Sequence, residues 1–491
     1  MRKLLTYIVM FLCVCCNLQA QSFREQYENF RKQSIQKYTS FREECNKAYA
    51  ENLRKSWESF RLLPEIPKPH EEEIPPVIYD DNKPHEPIEE NEVPYKDTLP
   101  HIVPTPQPKP VEPIPDNTPI NDNTFTFTFT FTFSFFNTDL KVRAAEQHKF
   151  KLHSLTGDSL ASIWERLSGE EYNQIISDCL SLRSAYNLCD WAYLQMLRSF
   201  CLQFLKSENE ATFLTGFIYC QSGYKMRLAI SKDSLGILYA SKHIIYDCPY
   251  YVIDGDYYYM LGEPKDEIQV ANTAFPDEKD LSLIITQSPK LSVSESDIKH
   301  KGAQTNPINL TYKVNENLIK FYDNYPNSQI GDDPLTRWAI YANSPIDQDL
   351  SDSIYPQIID SIKNKTELQA VNIILNFIQT AFEYEYDDKV WGGDRAFFAE
   401  ESAYYPYCDC EDRSILFSRI VRDLLGLDVV LIYYPGHLAT AVEFHSPVNG
   451  DYINLNDRKF TICDPTYIGA PVGITMPDMN NDEAMVILLK R

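Results

Sequence analysis

The chain has 491 residues, of which 43% are apolar and 13% aromatic, and its formal net charge is −24. This length accommodates two or three domains of ordinary size, each with a buried core. The acidity argues against nucleic acid as a partner, because phosphate binding requires clustered Lys and Arg side chains.

The first residues have the layout of a secretory signal peptide. Two basic residues precede an apolar run that extends from Leu4 to Cys16, and Ala20 offers a small residue for cleavage. The run is short for a membrane-spanning helix. We therefore expect residues 1–20 to direct export from the cytoplasm. A retained membrane anchor and a lipid-modified cysteine are the alternatives.

Two segments separate this signal from the body of the protein. Residues 21–63 carry apolar side chains at steps of three and four, which predicts an amphipathic helical rod. Such a rod pairs with itself, with another chain or with the body. Residues 64–123 follow as an extended linker, because 16 of the 31 prolines lie between positions 64 and 119. The composition favours a spacer.

The body is predicted to contain two α+β regions. The alternation in TFTFTFTFTF (124–133) places every Phe on one face and predicts the first strand. Residues 124–300 then show helical periodicity followed by strands such as YKMRLAIS and LGILYAS. Residues 301–491 repeat that order. An amphipathic helix follows DCEDRS and ends at Gly426, and strands follow in LDVVLIYY, HLATAVEF and KFTICDPTY.

Three residues of the second region have the chemistry of a nucleophile with its base. Cys410 lies at the start of the predicted helix, where the helix dipole and N–H groups favour a thiolate. After His300 the histidines are His437 and His445, and His437 opens a strand. Asp464 ends another strand. Neighbouring antiparallel strands can set His437 beside Asp464, and a helix packed on the sheet can bring Cys410 to the histidine.

Three blocks of this region occur together in a known family: DCEDRS with the helix after it, GLDVVLIYYPGHLATAVEF, and ICDPTY. In this combination the sequence resembles the transglutaminase-like superfamily of cysteine enzymes, and most closely its bacterial exported branch. The resemblance covers roughly residues 350–475 and, with the predicted signal peptide, implies a location in the periplasm or at the cell surface of a bacterium. It implies a papain-like fold in which Cys410 is the nucleophile, His437 the general base and acid, and Asp464 the orienting carboxylate. Asp412 matches an acidic position that we interpret as structural.

The sequence also departs from the family pattern. Many members have Gly two residues before the nucleophile, where this chain has Cys408, and an aromatic residue after it, where this chain has Glu411. No oxyanion donor is identifiable. Cys408 is a secondary candidate for the reactive thiol, and His445 is interpreted as a surface or core histidine.

Two other readings of the same residues stay open. Cys408, Cys410, His437 and Cys463 are ligand types that form a Cys₃His zinc site, although one intervening residue between the first two is tighter than usual. The protein is alternatively a non-catalytic binding or scaffold protein at the cell surface. The odd number of cysteines outside the signal peptide leaves at least one thiol without an internal disulfide.

The first α+β region is a candidate for a degenerate copy of the second. Residues 188–197 align with residues 410–419, so that Asp190 falls on Asp412, but Leu188 falls on the nucleophile. An unrelated α+β domain is the alternative.

These observations predict a chain of five parts: the signal peptide, the rod, the linker, an α+β domain at 124–300 and a transglutaminase-like domain at 301–491. The expected reaction is acyl transfer from an amide through a thioester. Hydrolysis of a peptide or isopeptide bond is favoured over crosslinking, because water is abundant. The expected partner is a protein or peptide substrate, with self-association through the rod as a further option. This chemistry needs no metal or organic cofactor.

Overall fold

The architecture is given by a computed structural model of the chain. It describes residues 40–55, 57–70, 74–80, 101–102, 130–479 and 484–489, together with individual helical positions between 27 and 37. The predicted signal peptide and most of the proline-rich linker lie outside the described residues. Among the helices of the described part, none combines the length and the apolar character that a bilayer span requires.

The N-terminal helix packs against the body of the protein. Helix α1 (residues 40–53) places Tyr49 and Leu53 in the core. The ring of Tyr49 stacks on that of Trp164 with centroids 4.0 Å apart, and the Trp164 indole N–H donates to Asn46 Oδ1 at 2.9 Å. Of the three pairings open to the rod, the described residues therefore show contact with the body.

The predicted rod is too long, because the chain leaves the helix well before residue 63. Strand β1 (Trp57–Arg61) pairs antiparallel with a strand of the body. Cross-strand hydrogen bonding outweighs the local helical periodicity of this segment, as is common for short sequences with mixed propensity. Strand β2 (His101–Ile102) is the next strand described.

Residues 62–70 and 74–80 also differ from the predicted spacer, because they lie against the body in extended conformation. We call these two stretches the strap. Several of its backbone groups bond to body residues, as described below. The five prolines of the strap hold its backbone extended before any contact forms, so the composition was compatible with an ordered segment.

The middle region runs from a hairpin through four helices to a sheet. Its elements in chain order are β3 (Phe131–Phe135), β4 (Thr138–Val142), α2 (Gly157–Leu167), α3 (Asn173–Ala185), α4 (Asp190–Leu205), α5 (Glu208–Gln221), β5 (Met226–Ser231), β6 (Ser234–Ala240), β7 (His243–Ile245), β8 (Tyr251–Ile253), β9 (Asp256–Met260) and β10 (Glu267–Ala271). Only the end of the TFTFTFTFTF run lies in β3, and residues 124–129 lie outside the described part. Within β3, Phe133 and Phe135 are buried while Thr132 and Ser134 are exposed, as the alternation predicts.

The C-terminal region begins with a hairpin and mostly helices, and it ends in a second sheet. Its elements are β11 (Lys299–Gly302), β12 (Asn309–Tyr312), α6 (Glu316–Asp323), β13 (Ser328–Ile330), α7 (Thr336–Asn343), α8 (Gln348–Ile362), α9 (Glu367–Ala381), β14 (Glu383–Tyr384), α10 (Asp387–Val390), α11 (Ala399–Tyr404), β15 (Tyr407–Cys408), α12 (Cys410–Leu425), β16 (Val429–Tyr434), β17 (His437–Glu443), β18 (Tyr452–Leu455), β19 (Arg458–Cys463) and β20 (Met485–Leu488).

Two six-stranded sheets organise these elements. Their strand orders are β1-β10-β5-β6-β9-β8 and β18-β19-β17-β16-β20-β2. The ladders are antiparallel except for the contact between β2 and β20. The predicted class, α+β with antiparallel sheets, is confirmed at this level.

The two sheets share one strand order when the outermost N-terminal strands are set aside. The order β8-β9-β6-β5-β10 in the middle region corresponds to β18-β19-β17-β16-β20 in the C-terminal region. Helix α5 packs on β5 and β6, as α12 packs on β16 and β17. The predicted alignment of residues 188–197 with residues 410–419 therefore matches α12 to the wrong helix, because it uses the start of α4.

Candidate active site

Cys410 is the first residue of α12 because the residue before it caps the helix. The carboxylate of Asp409 accepts the N–H groups of Glu411 at 3.1 Å and Asp412 at 3.2 Å, and that of Asp412 accepts the N–H of Asp409 at 3.3 Å. This reciprocal capping box fixes the first turn. The Cys410 thiol is thereby held at the positive end of the helix dipole, where negative charge on sulfur is stabilised.

Two contacts fix α12 against its surroundings. Ser414 Oγ, one turn after Cys410, donates to the carbonyl of Leu438 in β17 at 2.8 Å. The buried guanidinium of Arg413 donates to the carbonyl of Phe382 at 2.7 Å. The start of the helix is therefore held next to the start of β17.

His437 opens β17 after the tight turn that connects it to β16. Gly436 has a φ of +77°, a left-handed conformation that favours glycine. The register of β17 and β19 pairs Thr440 with Cys463, which places the next residue, Asp464, beside the histidine. His437 Nε2 lies 2.9 Å from Asp464 Oδ2, and the pair is buried.

Asp464 is itself held in position from two sides. Its Oδ1 accepts the backbone N–H groups of Thr466 at 2.8 Å and Tyr467 at 3.2 Å. The side chain of Gln379 in α9 donates to the carbonyls of Asp464 at 2.9 Å and Ala470 at 3.0 Å. The carboxylate consequently has one oxygen committed to the turn and the other to His437.

Gln379 was missed by the sequence reasoning, although a signal was present. It lies four residues after Leu375 and next to Ile378, within the apolar stripe of α9, and only 2% of its surface is exposed. A polar residue inside an apolar stripe is expected to bond to something buried.

Cys410 and His437 line the same small cavity, of about 40 Å³. Nε2 of the imidazole is hydrogen-bonded to Asp464 Oδ2, whereas Nδ1 has no hydrogen-bond partner among the described residues. The nitrogen that remains to exchange a proton with a thiol is thus Nδ1. The structure brings the three predicted residues together: His437 and Asp464 by a hydrogen bond, Cys410 and His437 by a shared cavity.

Buried carboxylates surround the start of α12. Burial raises the pKa of Glu411 and of Asp412 well above the ordinary values, with the nearby Asp394 adding to the effect at Glu411 and Asp387 at Asp412. Trp338 Nε1 donates to Glu411 Oε2 at 2.9 Å. The indole and the first turn of α12 thus hold Glu411 at the cavity wall.

Acidic side chains near the start of α12 are the candidates for metal ligation. Within the described ranges, the single group of three ligand atoms that lie within 4.8 Å of one another belongs to Asp387, Asp409 and Glu411. Carboxylates suit a hard cation such as Ca²⁺. However, Asp409 already caps α12, and Asp387 accepts the N–H of Arg395. We interpret the group as part of the hydrogen-bonding frame.

The four residues of the alternative Cys₃His site are not found as such a group. Cys408 and Cys463 direct their sulfurs toward the backbone carbonyls of Glu383 and Thr461 respectively. His437 faces Asp464. The geometry therefore does not fit zinc at these residues.

The other candidate thiols and histidine differ from the site residues in environment. Burial raises the pKa of Cys408 and raises that of Cys463 far above the ordinary value. Burial thus disfavours the thiolate form at both positions. His445 is exposed, and its Nδ1 lies 2.8 Å from Glu367 Oε1. Its interpretation as a surface histidine agrees with this position.

Comparison with known proteins adds no assignment: a scan against protein-family models and a search of curated proteins each returned no match for this chain. The arrangement of Cys410, His437 and Asp464 therefore carries the functional argument.

Proposed function

We propose that the protein is a cysteine enzyme of transglutaminase-like type that acts on amide bonds of polypeptides. The observation that supports this most is the buried His437–Asp464 hydrogen bond at 2.9 Å, with Cys410 on the wall of the same cavity. The packing of α12, which begins at Cys410, on the antiparallel sheet that carries His437 also supports the proposal, because the resemblance implies a helix and a sheet with these roles.

The residues divide the reaction as follows. His437 Nδ1 accepts the proton of Cys410, and the sulfur attacks the amide carbonyl carbon. His437 returns the proton to the departing amine as the C–N bond breaks, which leaves a thioester on Cys410. Water then attacks the thioester, its proton passes through His437 to the sulfur, and a carboxylic acid is released. Asp464 keeps the imidazole oriented and stabilises its protonated form.

Hydrolysis is the proposed outcome over amine transfer. Both reactions use the same thioester, and water is the more abundant acceptor. The proposed setting is outside the cytoplasm, in line with the signal peptide that the sequence predicts.

Thiol alkylation tests the proposal without knowledge of the substrate. The rate at which iodoacetamide modifies Cys410 is measured against pH in the full chain, with mass spectrometry to map the modified residue. We expect Cys410 to react below about pH 7, because a histidine partner and a helix start stabilise its thiolate. His437→Ala is expected to slow this reaction at least about tenfold.

His445→Ala is the matched control, since it removes an exposed histidine of the same strand region. It should leave the pH profile unchanged. If His437→Ala also left the Cys410 profile unchanged, the enzyme would be ruled out in favour of the binding or scaffold alternative.

A further inference from the structure

The strap crosses the candidate active site and is anchored on both sides of it. Before the site, its backbone pairs with the middle region: Leu63 N–H donates to the Tyr250 carbonyl at 2.8 Å, and the Ile66 carbonyl accepts from Asp247 N–H at 2.9 Å. After the site, the Val77 carbonyl accepts from Ile468 N–H at 2.9 Å.

Between these anchors the strap forms part of the cavity wall. Pro69 and His70 line the cavity together with Cys410 and His437. The N–H of Ile74 donates at 2.9 Å to the carbonyl of Gly436, the residue directly before His437. The strap thus bonds to the backbone next to the proposed base.

Lys68 places its ammonium group among the acids at this site. Its Nζ lies 2.7 Å from the backbone carbonyl of Asp394 and 2.8 Å from Oδ2 of the same residue. Only 10% of the lysine side chain and 18% of the aspartate side chain are exposed. Among the residues that the structure describes, Glu411 Oε1 is buried without a hydrogen-bond partner, and Glu411 also interacts electrostatically with Lys68. The strap therefore supplies a cation to Asp394 and Glu411, in addition to Arg337, which lines the same cavity.

With the strap in place, the described residues leave little room for a polypeptide at the nucleophile. Cys410 is 4% exposed and His437 is 2% exposed. A cavity of about 40 Å³ admits a water molecule but not a peptide. Whatever polypeptide reacts at Cys410 must displace the strap.

An extended segment that makes backbone hydrogen bonds on both sides of a site and inserts a side chain between them binds as peptide substrates do. We propose that the strap is an internal pseudosubstrate: it occupies the path of the polypeptide substrate, and Lys68 fills a subsite of Asp394 and Glu411 that receives a basic side chain of that substrate. The assignment of the strap as a pseudosubstrate rests on the proposed function. The blocked cleft and the cation subsite rest on the contacts alone.

The identity of Lys68 and its neighbours suits this role. Pro67 and Pro69 flank it, so the backbone on either side is held extended and loses little entropy on binding. The site is latent in this state, and it opens when a competing polypeptide with a basic residue takes the cleft.

The test follows access to Cys410 in the full-length protein. We compare the alkylation rate of Cys410 in the wild type, in Lys68→Ala and in Asp394→Asn, with Lys55→Ala as the control for loss of an exposed lysine. Loss of the charged contact from either side is expected to raise the rate by about tenfold, because the strap then leaves the cleft more often. Circular dichroism of each variant verifies that it is folded.

A synthetic peptide of residues 62–80 is then added to Lys68→Ala. It should restore protection of Cys410, and the same peptide with Lys68→Gln should protect at least about tenfold more weakly. Unchanged rates in both variants would rule out the strap as a barrier. Equal protection by the two peptides would rule out the lysine subsite.

The pH profile in Lys68→Ala separates this inference from the proposed function. If Cys410 becomes accessible but its reactivity does not depend on His437, the proposed enzyme function is contradicted and the proposal that the strap blocks the cleft is supported. If the reactivity of Cys410 depends on His437 in every variant but its accessibility never changes, the proposed enzyme function is supported and the proposal that the strap blocks the cleft is contradicted.

Discussion

At the scale of single residues, Cys410, His437 and Asp464 form the candidate site, and Gln379 holds Asp464 in position. Cys410, His437 and Asp464 follow from residue types at the starts and ends of elements, which the sequence displays. Gln379 gains its role only when α9 meets the turn after β19, two segments that are far apart in the chain. Long-range hydrogen bonds of this kind leave little trace in one sequence.

Replacement of Gln379 by Ala is expected to lower the free energy of unfolding by on the order of 3 kcal/mol, because three backbone groups, two of them buried carbonyls, lose their partner. These groups are the carbonyls of Asp464 and Ala470 and the N–H of Gly469. Urea unfolding of the two proteins measures the difference. Gln348→Ala, at an exposed position whose side-chain amide donates to Asp352, is the control with little expected change. A loss no larger than that of the control would contradict the role assigned to Gln379.

At the scale of elements, local signals predicted α12 well. Its start at Cys410 and its stop at Gly426, which has a φ of +65°, both follow from capping residues written in the sequence. Strand β1 and the strap differ from the predicted rod and linker, because their conformation depends on partners elsewhere in the chain. The helical periodicity and the prolines of these segments reflect only local conformational preferences. The ladder of β1 with β10 and the contacts of the strap with the site form only in the folded protein.

The N-cap of α12 gives a prediction at this scale. Asp409→Ala should lower the free energy of unfolding by about 1 kcal/mol, because the N–H groups of Glu411 and Asp412 lose their acceptor. Asp409→Asn should retain most of that free energy, since an amide oxygen also caps a helix. Chemical denaturation of the pair provides the measurement. Equal losses in the two variants would show that the charge of Asp409, and not the cap, stabilises the helix.

At the scale of the whole molecule, buried titratable groups link stability to pH. Burial raises the pKa of Glu400 to about 8 and that of Glu401 to about 7. The folded protein therefore holds protons that the unfolded chain releases above the ordinary value of 4.5. This contribution is present at low pH and is lost as pH rises from 4.5 to 8. The contribution of His243 to stability depends on pH in the opposite direction. Burial lowers its pKa from 6.5 to about 4, so that this contribution is lost as pH falls through that range.

Glu400→Gln isolates the first effect. Relative to the wild type, the variant should gain free energy of unfolding between pH 4.5 and pH 8, by on the order of 2–4 kcal/mol, because it has no proton to lose. Thermal or urea unfolding at both pH values measures the change. Glu58→Gln, at an exposed carboxylate of β1, is the control. A difference between Glu400→Gln and the wild type that stays constant with pH would show that Glu400 is ionised when folded.

The shared strand order has one more consequence, which concerns association between molecules. Strands β10 and β20 hold equivalent places, and each would be an outer strand with unpaired N–H and C=O groups. In this chain the N-terminal segment pairs with both, through β1 on β10 and through β2 on β20. Open strands of this kind invite edge-to-edge aggregation. The two strands that flank the strap in the sequence, β1 before it and β2 after it, therefore cover the outer strands of two sheets and protect them from aggregation.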